Sequence, residues 1–160
     1  MRHAALFLTA AALAVGAANV HAQTPNFAGV WTRLADSGAA AAGGDNGGAP
    51  DGLTIVQDSK TLTMDAQTAR GSETTFVFNL DGIDNKTTLT DGNGNQFDLV
   101  TRAKWDGSTL RATMTRDLGG AAFVVTFAFS LDAPGHLVVV VSQTPPGGDP
   151  MTRSSSYRKN

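Results

Sequence analysis

The sequence NFAGVWTRL, from Asn26 to Leu34, decides how the rest of the chain is interpreted. It follows closely on a segment typical of an export signal, so it begins the mature domain. Because side chains alternate between the two faces of a β-strand, Phe27, Gly29 and Trp31 fall on one face. What a Gly-x-Trp pair does at the start of a domain depends on the strands that follow.

Apolar residues recur with a period of two along the chain beyond this stretch, which indicates half-buried β-strands. The clearest run places Phe123, Val125, Phe127, Phe129 and Leu131 on one face. The same alternation predicts ten strands, over residues 28–34, 53–57, 60–66, 74–80, 86–90, 96–105, 109–116, 121–131, 137–143 and 151–158. No segment after the signal shows a convincing helical period, so the sequence predicts an all-β protein.

Strong turn signals separate these strands, among them Asp81-Gly82, Asp106-Gly107, Gly119-Gly120 and Pro134-Gly135. Asp-Gly between alternating apolar residues favours a tight hairpin, because both residues tolerate a positive φ. Short connections predict an up-and-down meander of antiparallel strands. About eight to ten such strands in one small domain favour a closed β-barrel, with a two-sheet sandwich as the alternative.

The hairpin around Asp106-Gly107 allows a register to be predicted. If these two residues form the turn, Trp105 lies opposite Ser108 and Leu99 lies opposite Met114. Thr101 then faces Ala112 and Ala103 faces Leu110. The apolar face of one strand meets the apolar face of the next, so the register is consistent with a single buried side.

The N-terminus has the layout of a secretory signal. A basic start at Arg2 precedes an apolar stretch over residues 4–18, and a small-residue cleavage pattern ends at Ala22. We therefore predict a signal peptide over residues 1–22 and a single β-barrel domain over residues 23–160. The domain is expected in the periplasm or outside the cell, and not as an integral membrane protein.

Residues 36–52, which read DSGAAAAGGDNGGAPDG, form an Ala/Gly-rich segment with almost nothing to bury. The segment is long for a loop inside a compact domain. We expect a flexible loop here, either a disordered insertion or a mobile flap.

Phe27, Gly29 and Trp31 resemble the opening motif of the calycin group, the lipocalins and fatty-acid-binding proteins. The chain also resembles small secreted bacterial proteins that open in the same way. Those proteins continue through a hairpin matching Gln57 to Thr63 and a KWDGxxL hairpin matching Lys104 to Leu110. That bacterial group has no established activity, so the resemblance implies a lipocalin-like barrel and no particular reaction.

In the calycins the first-strand Trp packs across one end of the barrel, often against an Arg near the end of the sheet. The resemblance therefore implies that Gly29 and Trp31 close the barrel, with Arg158 or Arg153 as the cation over the indole. The chain departs from fatty-acid-binding proteins, since it lacks a helical lid and its C-terminus reads SYRKN where they have an Arg-x-Tyr pair. Lipid specificity does not carry over.

Composition and motifs argue against several functions. The formal net charge of −2 at pH 7 argues against a nucleic-acid partner. The chain has no Cys, and His136 is the only histidine after the signal. Neither a metal site nor a nucleophile with its base can be assembled from these residues. We therefore predict no enzyme activity, no catalytic or metal residues and no cofactor.

Arg102 and Arg111 lie opposite each other in the predicted register, with Lys104 on the same outer face. Like charges placed directly opposite destabilise a sheet. One interpretation is that the guanidinium groups extend into water or meet an Asp on a neighbouring strand. The other is that Arg102, Lys104 and Arg111 form an anion-binding patch.

The barrel interior is the remaining candidate for function. The inward residues that we expect to contact a ligand are Phe76, Phe78, Leu99, Trp105, Met114, Phe123 and Phe127. Thr101, Ala103 and Ala112 are small and adjacent, which could leave a gap between them.

Two functions are consistent with such an interior. The first is a non-enzymatic exported binder of a small apolar ligand, with a mouth lined by Phe and Met beneath residues 36–52. The alternative is a filled barrel that binds an unidentified protein or envelope component through its surface.

Overall fold

The computed structural model of the chain is an all-β fold of antiparallel strands. It describes residues 24–35, 49–67, 73–90, 94, 96–117, 120–144 and 147–160. These ranges contain no helix and ten strands: β1 Gly29–Arg33, β2 Gly52–Gln57, β3 Thr61–Gln67, β4 Glu73–Asn79, β5 Asn85–Thr90, β6 Gln96–Asp106, β7 Thr109–Asp117, β8 Ala122–Leu131, β9 Leu137–Thr144 and β10 Met151–Lys159. Each strand end lies within one residue of its predicted position, so the all-β prediction is confirmed.

The ten strands form one sheet in the order β4-β3-β2-β1-β10-β9-β8-β7-β6-β5. Consecutive strands pair with each other, and β1 pairs with β10, where Trp31 lies opposite Lys159. Only β4 and β5 are consecutive in the chain and unpaired with each other. The Thr101 hydroxyl of β6 crosses this seam and donates to the Val77 carbonyl of β4 at 2.8 Å. The sheet is thus a nearly closed up-and-down barrel, as predicted, and not a two-sheet sandwich.

The interior of the barrel is the apolar face of the alternating strands. On β8, Val125, Phe127 and Phe129 are buried, whereas Thr126 is exposed. Burying one such side chain contributes roughly 1.5–3 kcal/mol relative to leaving it in water. Because the chain has no Cys, no disulfide contributes to its stability, and packing of this kind has to supply it.

The hairpin between β6 and β7 turns one residue later than the sequence predicts. Asp106 lies opposite Thr109, so Gly107 and Ser108 form the two-residue loop. Gly107 has φ +60°, and none of the described residues other than glycine has a positive φ. A Gly at the first loop position suits the twist of a hairpin without forcing Asp106 into a strained conformation.

The predicted register of this hairpin is therefore wrong by two residues. Leu99 lies opposite Arg116, Thr101 opposite Met114, and Ala103 opposite Ala112. A shift of two residues keeps every side chain on its face, because the faces alternate with a period of two. The predicted inward-facing residues are therefore correct, whereas the predicted cross-strand pairs are wrong.

Phe27 and Trp31 are fully buried at the end of the barrel where β1 begins and β10 ends. The Trp31 indole N–H donates to the carbonyl oxygen of Phe27 at 2.9 Å. The Phe27 ring stacks on Trp105 with ring centroids 5.7 Å apart, and its centroid lies 6.1 Å from that of Phe129. These rings fill this end of the barrel, which we call the sealed end.

The segment before β1 is held against the sealed end by one glutamine. The side-chain carbonyl of Gln57 accepts a hydrogen bond from the Phe27 amide at 2.9 Å, and its amide donates to the Pro25 carbonyl at 3.1 Å. Gln57 ends β2, so both bonds connect the entering chain to the second strand. The position of Phe27 is thereby fixed from the backbone as well as by ring packing.

The cation over Trp31 is Lys159, and not Arg158 or Arg153, which were the two predicted partners. The Lys159 ammonium lies 5.4 Å from the centre of the Trp31 ring, whereas Arg158 is exposed opposite Thr32. Alternation explains the correction, because Tyr157 faces inward and places Lys159 on the same side and Arg158 on the other. A lysine at this distance from an indole contributes about 0.5–1 kcal/mol where it is exposed.

Gly29 makes room for this lysine. A Cβ at Gly29 would lie only 2.5 Å from Lys159 Cε. Gly29 also has φ +146°, a conformation that residues other than glycine rarely adopt. The Gly-x-Trp pair therefore leaves space over Gly29 for the Lys159 side chain, whose ammonium lies near the indole.

Residues 1–22, predicted as the signal peptide, and residues 36–48 of the predicted loop lie outside the described part of the chain. Where the structure describes the chain, no helix is long and apolar enough to cross a membrane.

Replacing Trp31 by Ala should lower the free energy of unfolding by about 3–5 kcal/mol, since it removes a buried indole from the sealed end. Val30→Ala is the matched control, because Val30 is adjacent and 51% exposed, and it should change stability by less than about 0.5 kcal/mol. Urea unfolding monitored by circular dichroism measures both variants. Equal effects of the two substitutions would contradict the role given to Trp31.

Candidate ligand-binding cavity

A cavity of about 280 Å³ lies inside the barrel, away from the sealed end. Its apolar wall includes Leu53, Met64, Phe76, Met114, Phe127 and Val139, and its polar wall includes Thr74, Gln143, Arg153, Ser155 and Tyr157. Ala49 and Pro50, which precede β2, also line it. The cavity is thus a mostly apolar space with a few polar groups in its wall, as is usual for small-molecule sites.

The aromatic cluster of the interior forms one boundary of the cavity. Phe76 and Phe127 line it, with ring centroids 5.9 Å apart. Phe78 does not line it, but its ring packs against both of these at 6.3 Å and 5.9 Å. Phe78 also contacts Phe129, at 6.4 Å. A continuous set of rings therefore separates the cavity from Phe27 and the sealed end.

Four of the predicted ligand contacts line this cavity: Phe76, Met114, Phe123 and Phe127. The other three do not. Phe78 is fully buried behind the lining rings, and Trp105 stacks on Phe27 at the sealed end. Leu99 is buried opposite Arg116. Sequence alternation identified the inward face correctly but could not tell which end of each strand borders a space.

The polar wall was missed by the sequence prediction because β10 reads MTRSSSYRK, with little apolar alternation. Only Ser155 and Tyr157 are buried in this strand, and both lie on the same face as Arg153. Counting back in steps of two from the single tyrosine would have placed Arg153 inward. The signal was present, but it lay in the position of one aromatic residue and not in a repeated pattern.

The stem that carries Ala49 and Pro50 is fixed to the barrel by three contacts. Arg33 forms an ion pair with Asp51 at 2.5 Å, and the Arg33 amide donates to the Asp51 carbonyl oxygen at 2.9 Å. The Tyr157 hydroxyl donates to the Pro50 carbonyl oxygen at 3.2 Å. These contacts hold the end of the predicted loop, residues 49–52, beside the cavity.

The guanidinium of Arg153 has no hydrogen bond or ion pair with any residue that the structure describes. Arg153 is half-buried and lies opposite Val141, which is itself opposite Phe127 on the next strand. An arginine in this position contrasts with Arg33, whose charge is matched by Asp51. Arg153 is the least compensated charged group of the cavity wall.

The outer-face cations do not form the arrangement on which the anion-patch prediction depends. Arg102 lies opposite Thr113 and pairs with Asp84 at 2.6 Å, which raises the pKa of Arg102. Arg111 lies opposite Lys104 and pairs with Asp106 at 2.8 Å. The two arginines are not opposite each other, because the hairpin register is shifted. Each guanidinium instead pairs with an Asp, as the first of the two interpretations predicted.

His136 is held in the turn between β8 and β9. Its amide donates to Asp132 Oδ1 at 2.7 Å, and its Nδ1 lies 3.2 Å from Asp132 Oδ2. Among the described residues, no group of three or more His, Cys, Asp or Glu side chains could hold a metal ion. His136 therefore has a structural partner within its own turn.

No known protein-family model matches the chain, and no curated protein matches it. The nearly closed antiparallel barrel agrees with the architecture that the lipocalin-like resemblance implies. Membership of that group has no support beyond this architecture and the short opening motif. The case for function consequently depends on the geometry of the cavity.

Burial raises the pKa of Tyr157 above its ordinary value. A hydrogen bond with Ser155 and the positive charges of Arg33 and Arg153 lower this pKa by smaller amounts. The folded state therefore favours the neutral phenol more than the unfolded chain does. The resulting stability is fully present below the unfolded pKa of about 10 and is lost as the pH rises through the folded pKa.

Because Tyr157 is the single tyrosine, absorbance at 295 nm reports its ionisation alone. We expect a midpoint above that of the chain unfolded in urea, which should lie near pH 10. Circular dichroism at each pH identifies the range in which the protein stays folded. A midpoint equal to or below that of the unfolded chain would contradict the buried position of Tyr157.

Proposed function

We propose that this protein is an exported, non-enzymatic, lipocalin-like binder of a small apolar ligand, which it holds inside the barrel. The observation that carries the proposal is the cavity of about 280 Å³ between the aromatic cluster and the stem at Pro50. Export is proposed from the signal-like residues 1–22. The lack of an assembled catalytic set in the sequence motivates the non-enzymatic class.

The size of the cavity indicates the size of the ligand. An apolar protein cavity of about 150 Å³ binds benzene. A space of about 280 Å³ is nearly twice that volume and suits a body of about two rings or an equivalent branched chain. It lies just below the usual range of about 300–1,000 Å³ for small-molecule pockets, so a bulky ligand is disfavoured.

The chemistry of the wall also favours an apolar body. Phe76, Phe123 and Phe127 present aromatic surface, and burial of apolar surface contributes roughly 25 cal/mol per Å². Met64 and Met114 add flexible, polarisable side chains that adapt to the shape of a bound molecule. These residues suit contact with rings or branched hydrocarbon better than with sugars or nucleotides.

The alternative function, a filled barrel that acts through its surface, predicts an interior without a void. The cavity supports the binder over this alternative. The outer cations Arg102 and Arg111 are each paired with an Asp, which weakens the case for a charged docking face. A protein partner is therefore the second proposal, to be considered if the cavity does not bind.

A neutral two-ring probe, naphthalene-2-methanol, tests the proposal by isothermal titration calorimetry. We expect one molecule to bind per chain. Val141→Trp should weaken binding at least about tenfold, because Val141 lines the cavity and an indole there would occupy the site. Val140→Trp is the matched control, since Val140 is the next residue on β9 and alternation turns it to the outer face.

Equal binding by the two variants would mean that the probe binds outside the cavity. No binding by the unsubstituted protein, to this probe or to a smaller one such as benzyl alcohol, would contradict the proposed function. Thermal unfolding of both Trp variants checks that each remains folded.

A further inference from the structure

We infer that the ligand of this cavity carries an anionic group, a carboxylate or a group of similar geometry such as a sulfonate, which the guanidinium of Arg153 binds. The inference rests on the proposed function, since Arg153 can act on a ligand only if the cavity is a binding site. It changes the expected ligand from a purely apolar molecule to a small amphiphilic anion.

The position of Arg153 in the barrel is the first support. Ser155 and Tyr157 share its face of β10 and are buried, whereas Arg158 on the other face is exposed. Arg153 therefore faces inward by the alternation of the strand. It lies opposite Val141, and both side chains line the cavity. The guanidinium thus belongs to the polar part of a wall that is otherwise mostly apolar.

The missing counter-charge is the second support. Arg153 is half-buried beside an apolar space, where a partner of opposite charge interacts with it more strongly than in bulk water. None of the described residues forms an ion pair with Arg153, and Asp51, at the same end of the barrel, is already paired with Arg33. A bound anion would supply the counter-charge that the described protein does not.

The polar groups around Arg153 suit recognition of a planar anion. A guanidinium presents parallel N–H donors that match the two oxygens of a carboxylate. Gln143 on β9 and Ser155 on β10 line the same cavity and offer further donors. The proton of the Tyr157 hydroxyl is already donated to the Pro50 carbonyl oxygen, so we do not count this hydroxyl among the donors to the anion. Polar head and apolar body thus have separate places in the cavity wall.

A second inward arginine adds to the positive potential. On β7, Leu110 and Ala112 are buried and Met114 lines the cavity, so alternation places Arg116 on the inward face. Its Nε is buried without a hydrogen-bond partner among the described residues, and its guanidinium carbon lies 3.6 Å from the centre of the Phe97 ring. Two inward arginines without an acidic partner among the described residues favour an anion over a neutral or cationic ligand.

Two probes with the same body separate the anion from the apolar surface. Naphthalene-2-carboxylate and naphthalene-2-methanol share two rings and differ in the charged group. By titration calorimetry, the carboxylate should bind the unsubstituted protein at least about tenfold more tightly than the alcohol. A hydrogen bond to a charged group typically changes an affinity by about tenfold to one-hundredfold, which includes the expected difference between the two probes.

Arg153→Met should remove about tenfold to one-hundredfold of the affinity for the carboxylate and leave the affinity for the alcohol within about twofold. Arg153→Lys keeps the charge and should retain part of the preference for the carboxylate. Arg158→Met is the matched control, because Arg158 is on the same strand but exposed, and it should change neither affinity.

Three outcomes would overturn the inference or its premise. If the carboxylate binds no more tightly than the alcohol, or if Arg153→Met and Arg158→Met affect it equally, the anion inference fails while the proposed function stands. If neither probe binds, the proposed function and the inference fail together. Should Arg153→Met not fold, the comparison of probes on the unsubstituted protein and on Arg153→Lys still decides.

Discussion

The packing of Phe27 against Trp105 and Phe129 is the contact on which the asymmetry of this barrel depends. A closed antiparallel barrel has no inherent reason to differ at its two ends. Here the chain enters through Phe27, which is held by Gln57, and Trp31 donates its indole N–H back to Phe27. One end is consequently filled with rings, and the space that remains lies between Phe76, Phe127 and the opposite end.

The last strand contributes differently to the two ends. At the sealed end, the Lys159 side chain lies over Gly29 with its ammonium near the Trp31 ring, so β10 contributes to closure. Towards the other end, the same strand presents Ser155 and Arg153 to the cavity. A strand with few apolar inward residues contributes little to the stability of the core. Each inward polar group needs a hydrogen bond or a counter-charge, and without one its burial lowers the free energy of unfolding. The half-buried Arg153 has no counter-charge among the described residues, and an anionic ligand could supply one.

Much of the fold could be predicted from the sequence, because alternation reports directly on which face of a strand is buried. The ends of all ten strands and the inward face of the β6–β7 hairpin followed from it. The register of this hairpin did not follow, because the two-residue loop is Gly107-Ser108 and not the predicted Asp106-Gly107. Arg158 or Arg153 was predicted over Trp31, where Lys159 lies, because β10 contains a single tyrosine and its faces were not assigned. Whether Phe78 and Trp105 would fill the interior or border a space depends on three-dimensional packing, which local patterns do not encode.

The central claim is that the barrel interior holds one small molecule. Native mass spectrometry of the protein purified from its own host tests it most directly. The account predicts one extra mass per chain that is released by organic solvent, or a bare chain that takes up one molecule from a mixed extract of lipids and small metabolites. A bare mass both after purification and after that incubation would contradict the claim and would direct the search to protein partners.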